Sequence, residues 1–91
     1  MKAVHTKEEL MEKLIDQLED ELEGIIEYDH LYESLKAHKM RKEAAVIEEI
    51  AGQEYKHACA IWDMLNDLDI DLSDHEDINT KWECVKKIFN I

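Results

Sequence analysis

Hydrophobic residues recur along most of the chain with alternating spacings of three and four, the repeat of an amphipathic helix. In the first segment this stripe occupies positions 11, 14, 18, 21, 25, 28, 32 and 35, which read Met11, Leu14, Leu18, Glu21, Ile25, Tyr28, Tyr32 and Leu35. In the second segment the corresponding residues are Ile47, Ile50, Glu54, His57, Ile61, Met64 and Leu68. The pattern predicts two long helices, each with one face turned toward a partner helix.

Local signals mark where the helices begin. Thr6 and Glu9 have the spacing of a capping box, in which a hydroxyl and a carboxylate satisfy free backbone N–H groups, and Ser73 and Glu76 repeat it. The predicted helices cover 6–38, 42–68 and 74–90, within a single domain over 1–91. Because the first loop is short, the two long helices are expected to form an antiparallel hairpin, so the predicted fold class is all-α.

Composition narrows the functional classes. The chain has no proline and two glycines, which disfavours a fold built of strands and turns. Its 23 acidic and 11 basic residues give a net charge of -12, which argues against binding to nucleic acid or to an anionic membrane surface. No apolar run approaches the ~18 residues of a membrane span. Residues 1–10 show no signal-peptide pattern, so a cytoplasmic location is expected.

Several other side chains are interpreted as structural. Cys59 and Cys84 form no CxxC pair and are expected to be ordinary reduced thiols. Glu27 and His30 have ExxH spacing but point away from the first stripe, so a solvated surface is expected there; a metal entry or second metal site between subunits is the alternative. Trp62 also lies off its stripe and is expected to pack on the third helix.

Three ionisable residues interrupt the apolar stripes near their centres. Glu54 and His57 lie one helical turn apart on one face. Glu21 precedes a loop near residue 39 by 18 residues and Glu54 follows it by 15, so both should lie at nearly the same height of the hairpin. A buried carboxylate requires a partner or a metal. The spacing therefore predicts one site formed by all three side chains.

Two interpretations of this site remain open. A set of two carboxylates and one imidazole suits iron or manganese better than a structural zinc site, which favours Cys and His. Alternatively, Glu21 pairs with a lysine and His57 forms a hydrogen bond inside the core, with no metal.

The same residues resemble the ferritin-like superfamily of rubrerythrins and ferritins, in which two Glu and two ExxH segments from four helices hold two irons. Glu21 is followed by the small residue Gly24 and by Tyr28, as in that family. Residues 54–58 read EYKHA and are similar to its ExxHA segment. The resemblance covers roughly residues 8–68.

One chain supplies half of such a ligand set. It is therefore similar to the half-length, encapsulated ferritins, and this resemblance implies a homodimer or a higher even-numbered oligomer that forms a four-helix bundle. It also suggests an encapsulin-type shell as a partner and a location inside a protein nanocompartment, although no targeting peptide is recognisable after Phe89. Rubredoxin-like cysteine pairs, which full rubrerythrins carry, are not found.

The resemblance implies a ferroxidase. Fe(II) would be oxidised by O2 or peroxide at a di-iron centre held by Glu21, Glu54 and His57 of each protomer, feeding iron storage. Tyr28 would orient a carboxylate or quench radicals. Three alternatives use the same features: a helical interaction module without metal, a rubrerythrin-like peroxide-reducing protein, and a protein that binds Mn or Zn on these ligands.

Overall fold

Residues 5–91, the part of the chain that this computed structural model describes, form three α-helices and no strand. Helix α1 spans Lys7–Ala37, α2 spans Arg41–Asp67 and α3 spans Glu76–Ile88. Helices α1 and α2 form the hairpin, and α3 packs against α1. The predicted all-α class is confirmed for this range. Residues 1–4, on which the signal-peptide prediction partly rests, lie outside it.

The start of α1 follows the predicted cap. The Thr6 hydroxyl oxygen accepts a hydrogen bond from the Glu9 backbone N–H at 3.1 Å. The Glu9 carboxylate accepts a hydrogen bond from this hydroxyl at 3.1 Å, whereas the capping box predicted a bond from a backbone N–H. Glu8 and Glu9 also place negative charge in the first turn, where the helix dipole favours it.

The predicted cap of α3 is wrong. This helix begins at Glu76, and its N-cap residue His75 makes no capping hydrogen bond through its side chain. Ser73 lies instead in the preceding turn, where its backbone N–H donates to the Asp71 carboxylate at 2.9 Å. That hydrogen bond holds the pKa of Asp71 below its ordinary value. Ser73 therefore belongs to an Asx turn that ends before the helix, two residues ahead of the N-cap position.

All three helices end in the same way, without glycine. The residue after each C-cap is left-handed: Lys39 has a φ of 60°, Asp69 of 56° and Asn90 of 58°. After α1, the Met40 N–H bonds to the Leu35 carbonyl, which completes a Schellman motif. The connection between α1 and α2 therefore has only three residues outside the helices, and this shortness makes them antiparallel neighbours.

The core lies between the two long helices and under α3. Its buried residues are Leu18, Leu22, Ile25, Ala44, Ala51, Ala58, Ile61, Leu65, Leu72, Ile78 and Val85. Three of the α2 members are alanines spaced by seven residues, which let the helices approach closely. Helix α2 therefore turns its alanine row inward, and most of the stripe that begins at Ile47 lies at the edge of the core. Met64 and Leu68 on that stripe are exposed.

Aromatic side chains hold α3 beside the hairpin. The rings of Trp62 and Trp82 stack at 4.8 Å with an interplanar angle of 13°. Tyr55 approaches Phe89 at 4.7 Å and Trp82 at 6.1 Å. These large rings span the gap between α2 and α3, so the predicted packing of Trp62 on the third helix is confirmed.

An ion-pair cluster ties α3 to α1. The Lys81 ammonium lies 2.6 Å from the Glu23 carboxylate and 3.4 Å from that of Glu19. The hydrogen bond to Glu23 is the main reason why the pKa of Lys81 is raised. The aromatic rings and this cluster together fix which side of the hairpin α3 covers.

None of the described elements covers the opposite side of the hairpin, and we call this side the open face. Apolar side chains on it are exposed: Leu10, Val46, Met64 and Leu68. Each lies a multiple of seven or eleven residues from Glu21, Glu54 or His57, a spacing that returns to nearly the same side of a helix.

No helix within residues 5–91 is long and apolar enough to cross a membrane.

Candidate metal centre

Helices α1 and α2 bring the three predicted residues together on the open face. Glu21, Glu54 and His57 each offer one ligand atom, and these atoms all lie within 4.8 Å of one another. Glu54 and His57 share one side of α2 because they are a single turn apart, and Glu21 faces them from α1. The hairpin thus places Glu21 and Glu54 at the same height, as expected from their distances to the loop.

The two oxygens of Glu21 have different environments. Oε1 accepts a hydrogen bond from the Gln17 side-chain amide at 3.0 Å. Oε2 is buried and has no hydrogen-bond partner among the described residues. A buried acceptor without a donor is costly, and a carboxylate more so than a neutral group. Glu21 therefore has an oxygen that needs a proton or a cation.

The raised pKa of Glu54 indicates that a proton also stabilises this second carboxyl group. The pKa of this half-buried carboxyl is raised above 4.5 by a hydrogen bond with Glu21, by burial and by repulsion from the Glu21 charge, while His57 opposes the shift. Two ionised carboxylates have no hydrogen to share. The pair gains its hydrogen bond only when Glu54 is protonated, and a cation between the two groups would replace that proton.

His57 lies farther outward than the stripe predicts. Its side chain is 61% exposed, against 29% for Glu54, because the alanine row has turned α2. Its Nδ1 lies 3.8 Å from Glu54 Oε1, which is too long for a hydrogen bond. The imidazole has no hydrogen-bond partner among residues 5–91, and the interpretation of a hydrogen bond within the core is wrong.

The interpretation that Glu21 pairs with a lysine also fails within the described range. Ion pairs of Lys81 go to Glu19 and Glu23, the neighbours of Glu21 on the side of α1 that faces α3. No lysine or arginine pairs with Glu21 or Glu54 in residues 5–91. The two carboxylates on the open face are left without a permanent cation.

Tyr28 lies farther from the group. It is half-buried and seven residues, about 10 Å, along α1 from Glu21. It borders a cavity of about 290 Å³ together with Tyr32, Ala51 and Phe89. Within the described chain it makes no hydrogen bond to any of the three site residues, so its predicted role in orienting a carboxylate remains a prediction.

The donor set fits a hard or borderline divalent ion. Three ligand atoms at ~2.1 Å from one ion in a tetrahedral arrangement are about 3.4 Å apart, so a shift of each atom by less than ~1 Å would close the observed group around one ion. Two carboxylates and one imidazole are the ligands of iron and manganese sites as well as of some zinc sites. The buried, unpaired Oε2 of Glu21 is the structural observation that favours a cation here.

The second ExxH pair, Glu27 and His30, is exposed and does not belong to the group. Gln17 is the site residue that sequence analysis missed. Its only sequence signal is a position four residues before Glu21, on the same face of α1.

Comparison with known proteins adds no relative: no protein-family model, curated protein or solved structure matches this chain. Its function must therefore be inferred from its own residues.

Proposed function

We propose that this protein is a di-iron ferroxidase of the ferritin-like type, with a metal centre shared by two copies of the chain. The observation that carries the proposal is the meeting of Glu21, Glu54 and His57 on the open face, with one buried Glu21 oxygen unpaired. Oxygen-rich ligand sets with a single imidazole per segment are those of di-iron carboxylate proteins.

A single chain supplies two carboxylates and one imidazole, which is half of the ligand set of such a centre. A second copy related by a two-fold axis would place its own open face against the first and supply the other half. The two hairpins would then form a four-helix bundle, and His57 would become enclosed.

Exposed surface supports a partner on this face. Four large apolar side chains lie exposed on it, at Leu10, Val46, Met64 and Leu68. Gly24 also has nothing within 4 Å of where a Cβ would lie, so packing within one chain does not explain a glycine in mid-helix, where it costs about 1 kcal/mol relative to alanine.

The carboxylate charges of the site would make dimerisation depend on metal binding. Two open faces brought together would place four carboxylates near one another with no lysine or arginine among their described partners. Such a cluster is unfavourable unless cations neutralise it. We therefore propose that divalent metal is required for the stable dimer, and that metal binding displaces the proton of Glu54 wherever that group is protonated.

In the proposed reaction Fe(II) is the substrate, and each ion gives up one electron. A pair of Fe(II) ions and two protons would reduce O2 to H2O2, or H2O2 to two waters. The carboxylates of Glu21 and Glu54 would balance the larger charge of the Fe(III) product, and neutral His57 would complete the nitrogen ligation. The net charge of -12 would raise the local concentration of Fe(II).

Metal titration tests the site. Fe(II) or Co(II) binding to purified protein is measured anaerobically for the wild type, E54A and H57A. The matched controls are E27A and H30A, which change the exposed pair with the same spacing. Stoichiometric binding should be lost in E54A and H57A and retained in both controls. Wild-type binding of two metals per dimer by E54A would contradict the proposal.

Oxidation separates a ferroxidase from a redox-inert metal protein. The anaerobic Fe(II) complex is exposed to air or to peroxide, and ferric absorbance in the near ultraviolet is followed against an E54A sample. Rapid absorbance in the wild type alone is expected. Tight binding of Mn or Zn without iron oxidation would support the redox-inert alternative instead.

The exposed apolar row also favours a second function, a helical interaction module without metal. This alternative predicts association through the open face in the presence of a chelator. It also predicts that replacing Glu21 and His57 by leucine leaves the association intact. The ferroxidase proposal predicts that the chelator prevents association.

A further inference from the structure

Gln17 divides the two oxygens of Glu21 into different roles. Its side-chain amide donates to Oε1 at 3.0 Å, while Oε2 stays buried and unpaired. A carboxylate without such a donor rotates readily about its last torsion, because that torsion is broad. With Oε1 held, one defined oxygen of Glu21 is left to bind a cation.

The position of Gln17 on α1 is the second observation. Residues 10, 14, 17, 21 and 24 follow the alternating spacing of the open face, and Gln17 is a polar residue within this row. It is exposed in a single chain, where a hydrogen bond between side chains one turn apart adds little stability. Its amide would be enclosed in a two-copy bundle, where its N–H requires an acceptor.

We propose that Gln17 is a positioning residue of the metal centre, which orients the Glu21 carboxylate through Oε1 so that Oε2 serves as the metal ligand. This inference rests on the proposed metal site. The amide is neutral, so it orients the ligand without changing the charge at the site. Hydrogen-bond partners of metal ligands commonly contribute 10- to 100-fold in metal affinity.

The test uses Co(II) as the probe, because its visible absorbance reports ligand number and geometry as well as occupancy. Affinity and spectrum are measured for the wild type, Q17A and E54A. N66A is the control, since Asn66 carries an exposed side-chain amide on α2, outside the three-residue group and away from the open face. Circular dichroism checks that helix content is equal, and Q17L repeats the test should the small side chain of Q17A alter packing.

We expect Q17A and Q17L to bind Co(II) about 10- to 100-fold more weakly and with a changed absorbance band, and N66A to match the wild type. A role limited to helix stability would leave the band unchanged. Wild-type affinity and spectrum in Q17A, with binding abolished in E54A, would overturn the role of Gln17 alone. Failure of the wild type to bind Co(II) would overturn the metal site and this inference together.

Discussion

The carboxyl groups of Glu21 and Glu54 meet across the α1–α2 hairpin, with ligand atoms within 4.8 Å of each other and of His57. Neither carboxylate pairs with a lysine or arginine in the described part of the chain. Two carboxylates this close together repel each other, and a proton or a metal ion between them would relieve the repulsion; most of the following predictions depend on this relationship.

Stability of the metal-free protein should depend on the protonation of Glu54. Its folded pKa is raised, so the folded state keeps a proton that the unfolded chain releases near the ordinary value of 4.5. The free energy of unfolding should therefore decrease as pH rises from about 4.5 through the raised pKa of Glu54. Urea unfolding with EDTA at a series of pH values measures this slope.

The control for this slope is E54Q, which has no proton to lose in that range. Its unfolding free energy should decrease less steeply than that of the wild type over the same interval. Equal slopes for the two proteins would show that Glu54 titrates normally.

Replacing Glu21 by leucine should stabilise the metal-free chain. The substitution removes a carboxylate with one buried, unpaired oxygen and adds apolar surface beside the core. A gain of about 1 kcal/mol is expected, which corresponds to roughly 4–8 °C in Tm for a domain of this size. Thermal unfolding with EDTA measures it, with E27L on the exposed surface as the control. A lower Tm for E21L would argue that Glu21 stabilises the fold.

Metal should convert monomers into dimers. Sedimentation of the wild type is expected to show a monomer with EDTA and a dimer with saturating Co(II). A free metal concentration of 100 times the Kd would stabilise the folded state by about 2.7 kcal/mol. E54A should remain monomeric in both conditions. A dimer that persists unchanged with EDTA would favour the metal-free interaction module.

Two substitutions should separate folding from assembly. L22A removes a fully buried side chain and should cost roughly 2–5 kcal/mol of unfolding free energy. M64A truncates a side chain that is 45% exposed on the open face, so it should cost little in the monomer and weaken the metal-linked dimer. Urea unfolding and sedimentation of both variants test this, and a large loss of monomer stability in M64A would contradict the open face.

Lys81 should help to hold α3 against α1. K81M removes the pairs with Glu23 and Glu19, with an expected loss of up to about 1 kcal/mol because the cluster is partly exposed and screened by salt. The pKa of Lys81 is raised, so this contribution is complete below about 10.5 and disappears as pH rises through the raised value. K86M is the control, since Lys86 pairs only at 3.4 Å with Glu83 of its own helix. Equal stability losses would show that Lys81 has no special role.

Features determined by local chemistry could be read from the sequence. The 3–4 spacing predicts the long helices, and Thr6 marks the start of α1 because its hydroxyl bonds to the nearby Glu9 N–H. The one-turn interval places Glu54 and His57 together whatever the rest of the chain does. The short loop makes α1 and α2 antiparallel and puts Glu21 at their height.

Features that depend on how contacts combine in the folded chain could not be read from the sequence. Ser73 joins a turn with Asp71 instead of capping α3, and the helix begins three residues later, at Glu76. The alanines at 44, 51 and 58 turn α2 so that His57 moves toward the edge, since small side chains allow close helix packing. Sequence periodicity predicts which residues form the stripe, but it does not predict how α2 is rotated about its own axis.

The sequence by itself determined that this protein is built of helices and which three ionisable groups interrupt its apolar stripes, because helix geometry depends on near neighbours. Only the tertiary structure decided which side of the hairpin α3 covers, through the rings of Trp62 and Trp82 and the pairs of Lys81. It also decided which oxygen of Glu21 accepts the hydrogen bond from Gln17 and which oxygen stays buried without a partner. Burial and hydrogen-bond partners depend on how the helices are packed.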